Sequence, residues 1–189
     1  VTDGGAGRLL IVLTGPVGGG KSTTALRLAE CLRQRGRRVG VVDLDLVADM
    51  VRPQVHYGEP DLWQMARSIC GGLTDAIYQA GHDTVIVEGE FFSAAELAAL
   101  RDAVRRPVAL RLVTLDVSYE ACLARVANDP SPGRNLSRHP AFLREMNAQF
   151  QAALPWLRTA GPVIDANTAS ASELAQAICL HLGPVSGRN

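Results

Sequence analysis

Gly15-Pro16-Val17-Gly18-Gly19-Gly20-Lys21-Ser22-Thr23 is the stretch whose reading decides this fold. It fits G-x-x-x-x-G-K-[ST], the Walker A pattern. The apolar run Leu9-Leu10-Ile11-Val12-Leu13 before it reads as a buried strand over 8–14. Residues 21–35 after it carry apolar side chains at helical spacing, and Gly36 is placed to end that helix. Glycines let the backbone take positive φ and close round an anion, with their N–H groups pointing inward. The helix behind adds its positive end and its unpaired amides. Lys21 brings the full charge that β- and γ-phosphates need, and Ser22 offers a hydroxyl to Mg²⁺, an oxygen-seeking cation.

Outward from that loop the chain alternates apolar strands and helices. Strands are expected at 38–43, 84–87, 109–115 and 162–165. Helices are expected at 46–51, 61–80 with Asp61 as cap, 94–104 with Ser93 as cap, 119–128, 141–153 ending at Pro155-Trp156, and 172–182. Continuous apolar strands separated by helices imply a parallel sheet covered on both faces, an α/β sandwich with right-handed crossovers. One domain over 1–189 is expected, with a flexible leader at 1–7 and a frayed tail at 184–189. Residues 129–139 are the segment richest in Pro and Gly, too short for a second domain and suited to a mobile lid.

Nineteen basic and nineteen acidic side chains give a net charge of zero, which argues against a broad nucleic-acid surface. No apolar run reaches the length of a membrane span, about 18 residues. The cysteines, Cys31, Cys70, Cys122 and Cys179, form no CxxC pair and read as small core residues of a cytoplasmic protein.

Ligands of parallel sheets bind beyond the carboxyl ends of the strands. Asp43-Leu44-Asp45 ends the second strand and Glu88-Gly89-Glu90 the third. Residues i and i+2 of a strand share a face, so each pair can project into one cleft if strand geometry persists. Asp43 and Glu88, with Ser22, are then the candidates to hold the Mg²⁺ shell. Asp45, and after it Glu90, are the candidates to orient or deprotonate an acceptor hydroxyl. Arg52, one short helix beyond, could grip the acceptor. Arg125, Arg134 and Arg138 accompany the lid and could reach transferring phosphates, since guanidinium stays charged and donates in a planar fork.

With these residues on the page, the chain resembles the P-loop small-molecule kinases, in the branch of shikimate, gluconate and adenylylsulfate kinases and chloramphenicol phosphotransferase. The resemblance runs through 8–182 in element order. It rests on Gly15 to Thr23, the Asp-x-Asp after strand two, the Glu-x-Glu after strand three, the lid arginines and Val163-Ile164-Asp165-Ala166-Asn167. It implies a three-layer sandwich with a five-stranded sheet of order 2-3-1-4-5. It implies ATP and Mg²⁺ as cofactors, and a base site near Asp165, Asn167 and Thr168. It also implies transfer of the γ-phosphate to a small hydroxylated metabolite or antibiotic by a monomer or homodimer. The Glu-Gly-Glu of strand three departs from the aspartate usual in the family. A nucleoside or nucleotide kinase is the alternative enzyme, disfavoured by the lack of paired arginines around 46–60. A nucleotide-dependent switch acting on a protein partner is the non-kinase alternative, and the chain lacks the N-K-x-D guanine motif.

Overall fold

The computed structural model describes residues 7–52, 59–130 and 136–183. Five strands form one parallel sheet: β1 (Leu9–Thr14), β2 (Val39–Asp43), β3 (Thr84–Glu88), β4 (Ala109–Asp116) and β5 (Val163–Asp165). Their order is β2-β3-β1-β4-β5, as the resemblance implied. Between them run α1 (Lys21–Gln34), α2 (Leu44–Val51), α3 (Pro60–Gln79), α4 (Ala94–Ala103), α5 (Tyr119–Asn128), α6 (Pro140–Ala160) and, last, α7 (Ala171–His181). Among the described residues no helix is long and apolar enough to cross a membrane.

The alternation of side chains along β1 divides the core in two. Ile11 and Leu13 face α1, α5 and α7, where Leu28, Cys122 and Ile178 are fully buried. Leu10 and Val12 face α2, α3, α4 and the second half of α6, against Ala48, Cys70, Leu100 and Phe150. A strand buried on both faces has no polar positions to spare, which is why these segments read as unbroken apolar runs.

Most boundaries fall within one residue of the sequence expectation, and three of the differences have a local cause. Helix α2 begins at Leu44 rather than at 46, because the Asp43 carboxylate accepts from the amides of Asp45 and Leu46 (2.8 and 3.1 Å) and caps the helix at once. Helix α3 starts at Pro60, so Asp61 lies inside its first turn and is not the cap. Helix α6 continues through Pro155 to Ala160. Proline there removes the donor to the Gln151 carbonyl. Both residues are exposed, so water can satisfy that oxygen, while Leu154 and Leu157 beside them are buried in the core.

Candidate active site

The register of the sheet sets the site. Asp43 of β2 pairs with Glu88 of β3, so two carboxyl groups leave the sheet side by side at its C-terminal edge. The Ser22 hydroxyl, at the start of α1, and the Asp43 carboxyl both act on Glu88, the first favouring its charge and the second opposing it. Glu88 is only 3% exposed. Burial first, and then Asp43, push its carboxyl up to about 8 against the pull of Lys21. Such a group ionises fully when a cation arrives.

The phosphate loop is built as its glycines require. Gly18 takes φ 75°, and a Cβ there would stand 2.8 Å from the Val126 side chain of α5. Gly20, at φ 86°, is the N-cap of α1, with no side chain between the helix amides and the loop. Lys21 is almost buried. Its Nζ donates to the carbonyls of Gly15 (3.2 Å) and Pro16 (3.1 Å) and to Glu90 Oε1 at 2.5 Å. Burial alone would lower its pKa. The surrounding carboxylates, Glu90 foremost, then Glu88 and Asp45, outweigh burial and hold it above its ordinary value.

Glu90 is aimed at Lys21 by the turn after β3. Gly89 donates to the Leu13 carbonyl (3.2 Å). A Cβ on Gly89 would come within 2.6 Å of the Leu44 side chain, so glycine alone lets this turn pack on α2. Phe91 N donates to Thr14 Oγ1 (3.0 Å), which closes the turn against β1.

Asp45 reaches the site differently from the strand geometry expected. It sits in the first turn of α2, with an exposed face to the cleft, yet protein and carboxylates crowd it closely. Burial, then Glu90, raise its carboxyl to about 7 against the attraction of Lys21. The structure therefore brings Lys21, Ser22, Asp43, Asp45, Glu88 and Glu90 together at one end of the sheet.

Beyond them opens a cleft of about 700 Å³ between α2, α3, α4 and the start of α6. Its wall includes Asp45, Asp49, Trp63, Arg67, Phe92 and Phe142. Trp63 of α3 packs against the core and also forms part of this wall. Arg52 is not on it and forms an exposed ion pair with Glu59. The arginine on the wall is Arg67 of α3, 7% exposed. Sequence reasoning missed it. The available signal was a charged residue on the face that carries Ala66, Cys70 and Tyr78 into the core.

A second cavity, about 320 Å³, lies on the other side of the phosphate loop. Its wall runs from Gly18, Gly19 and Gly20 to Arg125 and on to Ala169 and Leu174. Arg125 clamps the loop, donating to Gly19 O (3.0 Å) and to Ala166 O (2.6 Å). Asp165, Asn167 and Thr168 stand outside this wall. Asp165 accepts from the Asn167 amide (2.9 Å) and side chain (2.7 Å), bonds that lower its pKa, and Asn167 Oδ1 accepts from Ser118 N (2.8 Å). These two residues tie β5 to the start of α5. Arg138 donates to the Asp129 carbonyl (2.7 Å) across the expected lid, while Arg134 lies outside the described residues, as do 1–6 of the leader and the tail.

Among the described residues no group of three His, Cys, Asp or Glu side chains converges on a metal. A hydroxyl and two carboxylates, Ser22, Asp43 and Glu88, do fit Mg²⁺, which binds through a few oxygen ligands, phosphates and retained water.

A family described as an AAA domain, AAA_33, matches residues 10–153, and the chain belongs to it. Among solved structures, shikimate kinase from Acinetobacter baumannii in complex with shikimate is 21% identical, with a TM-score of 0.63 over 93% of each chain. A sugar kinase from Janibacter sp. HTCC2649 is 18% identical, with a TM-score of 0.65 over 96% of this chain and 99% of its own. The fold is thus that of the P-loop small-molecule kinases. Similarity to curated proteins covers a shorter stretch. The cytosolic Fe-S cluster assembly factor nubp2 of Danio rerio is 38% identical over 56 residues, which is 30% of this chain and 21% of that protein. The chain thus spans about a fifth of the length of the curated relatives it matches.

Proposed function

We propose that this protein is an ATP-dependent kinase that moves the γ-phosphate of ATP to a hydroxyl of a small molecule. The observation that carries the reading is the position of Asp45 and Glu90 where the phosphate loop, with its Lys21, opens into an adjoining cleft of about 700 Å³. A phosphoryl-transfer site needs such a junction, with the donor phosphates on one side and an acceptor pocket on the other. Lys21 gives up Glu90 to hold the transferring phosphate. Asp45, whose carboxyl titrates near pH 7, takes the proton of the acceptor hydroxyl. Glu90 orients that hydroxyl from the opposite wall. Ser22, Asp43 and Glu88 would hold Mg²⁺, which when bound neutralises phosphate charge. Arg67 stands on the acceptor side and takes the place that the sequence suggested for Arg52.

The test is ADP release measured with a broad panel of hydroxylated acceptors, with the phosphorylated product identified by mass. A phosphorylated acceptor is the expected result. ADP release that depends on a protein partner, with no acceptor modified, overturns the kinase reading. That outcome would favour the second reading, a nucleotide-dependent factor acting on a protein. The short similarity to the Fe-S cluster assembly factor is what favours this alternative.

The segment 129–139 serves this chemistry as a lid. Arg138 already ties its far end to Asp129, at the C-terminus of α5, which carries the loop-clamping Arg125. Hydrogen exchange over this segment is expected to slow when ATP·Mg²⁺ is added, with the sheet unchanged. Equal exchange with and without nucleotide removes the lid and leaves the kinase reading standing.

A further inference from the structure

The charge on the cleft wall narrows the acceptor further. Among the described residues, five carboxylates line the cleft, Asp43, Asp45, Asp49, Glu90 and Glu96, against the single guanidinium of Arg67. Three of the five are already engaged. Asp43 caps α2, Glu90 holds Lys21, and Glu96 holds Arg67. The Arg67–Glu96 pair is fixed from both sides. Arg67 Nη2 donates to Glu96 Oε1 (2.9 Å) and to Glu90 O (2.8 Å), and its guanidinium lies 5.5 Å from the centre of the Phe91 ring. The other Glu96 oxygen accepts from Phe92 N at 2.5 Å. Arg67 therefore brings no net positive charge to the cleft. It does keep donor capacity at Nη1, since both of its hydrogen bonds run from Nη2, while its Nε is sealed from the cleft. A guanidinium so neutralised suits the oxygen of a hydroxyl, ether or carbonyl better than a carboxylate.

Asp45 and Asp49 remain. They lie four residues apart on α2, hence on one face with about 5–6 Å between their Cβ atoms. Among the described residues neither has an Arg or Lys within ion-pair distance. The wall around them is apolar and aromatic, with Leu46, Trp63, Phe92 and Met146. An acidic acceptor entering here meets two carboxylates that no ion pair neutralises, Asp49 and, within the field of Lys21, Asp45. A cation is attracted by both, in a cleft whose apolar walls strengthen the interaction.

Resting on the kinase reading, we infer that the acceptor is a hydroxylated amine with an apolar portion. Its ammonium pairs with Asp49, its hydroxyl meets Asp45 one helical turn away, and its apolar body lies on Trp63 and Phe92. An uncharged oxygen of the same molecule takes the remaining donors of Arg67. The hydroxyl and the ammonium must then be separated by about one helical turn, roughly 5–6 Å.

The test uses matched compounds on the full chain. One set is a series of hydroxylated amines whose hydroxyl and amine can reach that separation, from 4-amino-1-phenylbutan-1-ol to multi-ring amino sugars. The second is the same compounds N-acetylated, and the third is hydroxy acids of matched size, hydroxyphenylpropanoic acid among them. Binding is read by titration calorimetry and phosphate transfer by product mass. At least one amine is expected to bind about ten-fold more tightly than its acetylated partner, the scale of one partly desolvated charge pair, and the acids are expected not to bind. Asp49→Asn should bring the amine and its amide to within about three-fold of each other, with ATP affinity as in wild type. Amides or acids that bind as well as the amines, or an amine preference that survives Asp49→Asn, overturn the inference. Phosphorylation of an acid or an amide in preference to every amine overturns it while upholding the kinase. Amine binding that depends on Asp49 without transfer to any compound upholds the amine site but sinks the kinase, and with it the amine's role as acceptor.

Discussion

Lys21→Ala is expected to lower phosphate transfer by on the order of 10² to 10³, the loss that follows removal of one preorganised charge stabiliser. The side chain is almost buried, and its Nζ is held over the loop by the Gly15 and Pro16 carbonyls and by Glu90. The charge is thus positioned before any phosphate arrives. The same substitution has a second, pH-dependent effect on stability. The folded-state pKa of Glu88 is raised from its ordinary 4.5 to about 8 by burial and by Asp43. A carboxyl raised in this way contributes stability that is complete below pH 4.5 and lost as pH rises through 8. Lys21 opposes that loss by favouring the ionised form. Without it, Glu88, Asp45 and Glu90 share a buried corner with no cation. Thermal unfolding of Lys21→Ala should therefore match wild type near pH 4.5 and fall below it increasingly toward pH 8. At the upper end the deficit should approach the cost of breaking a buried pair, about 3–5 kcal/mol. A folded variant that transfers phosphate at the wild-type rate removes the phosphate site. Parallel unfolding curves across pH would show that these carboxylates are already compensated by other groups.

The pairing of Glu88 with Asp43 bears on how much of this site was legible in the sequence. The phosphate loop was wholly legible, because each glycine, the lysine and the serine has a local reason that no tertiary contact needs to supply. The strands were legible for a related reason: burial on both faces leaves an unbroken apolar run. Strand order came from the resemblance, and the register that sets Asp43 beside Glu88 is visible only in the folded sheet. The expectation for Asp45 assumed that the strand ran on. A local competitor won, since Asp43 caps the following helix and turns Asp45 onto its first turn. Arg67 was missed because its significance depends on partners 23 and 29 residues away, Glu90 and Glu96, that meet it only through the packing of α3 on α4. Pro155 misled in the opposite direction. A local rule against proline in helices was overridden by the buried leucines at 154 and 157. Local chemistry could be read where it was sufficient by itself, and it failed where a helix packs a charge against a distant residue.

Asp45→Asn is expected to keep ATP binding and to lose transfer by on the order of 10² to 10⁴, the contribution of a positioned general base. Two carboxylates could take the acceptor proton, and their surroundings differ. Glu90 is held by the Lys21 ammonium at 2.5 Å, so that oxygen is already engaged before an acceptor arrives. Asp45 has no such partner, and burial together with Glu90 brings its carboxyl to about 7. A base that titrates near the working pH combines an available ionised form with a useful proton affinity. The wild-type rate should accordingly rise with pH through about 7 and level off above it, because only the ionised form of Asp45 accepts a proton. In Asp45→Asn that limb should vanish, leaving a low rate that does not follow pH in this range. Glu90→Gln tests the rival. It removes the negative charge that raises Asp45, so the limb should persist and move to lower pH, with a smaller loss of rate. Single-turnover transfer at saturating ATP, followed across pH for both variants, separates the two roles. If the limb survives in Asp45→Asn and disappears in Glu90→Gln, then Glu90 is the base, Asp45 orients the acceptor, and Lys21 must leave Glu90 before the hydroxyl can react.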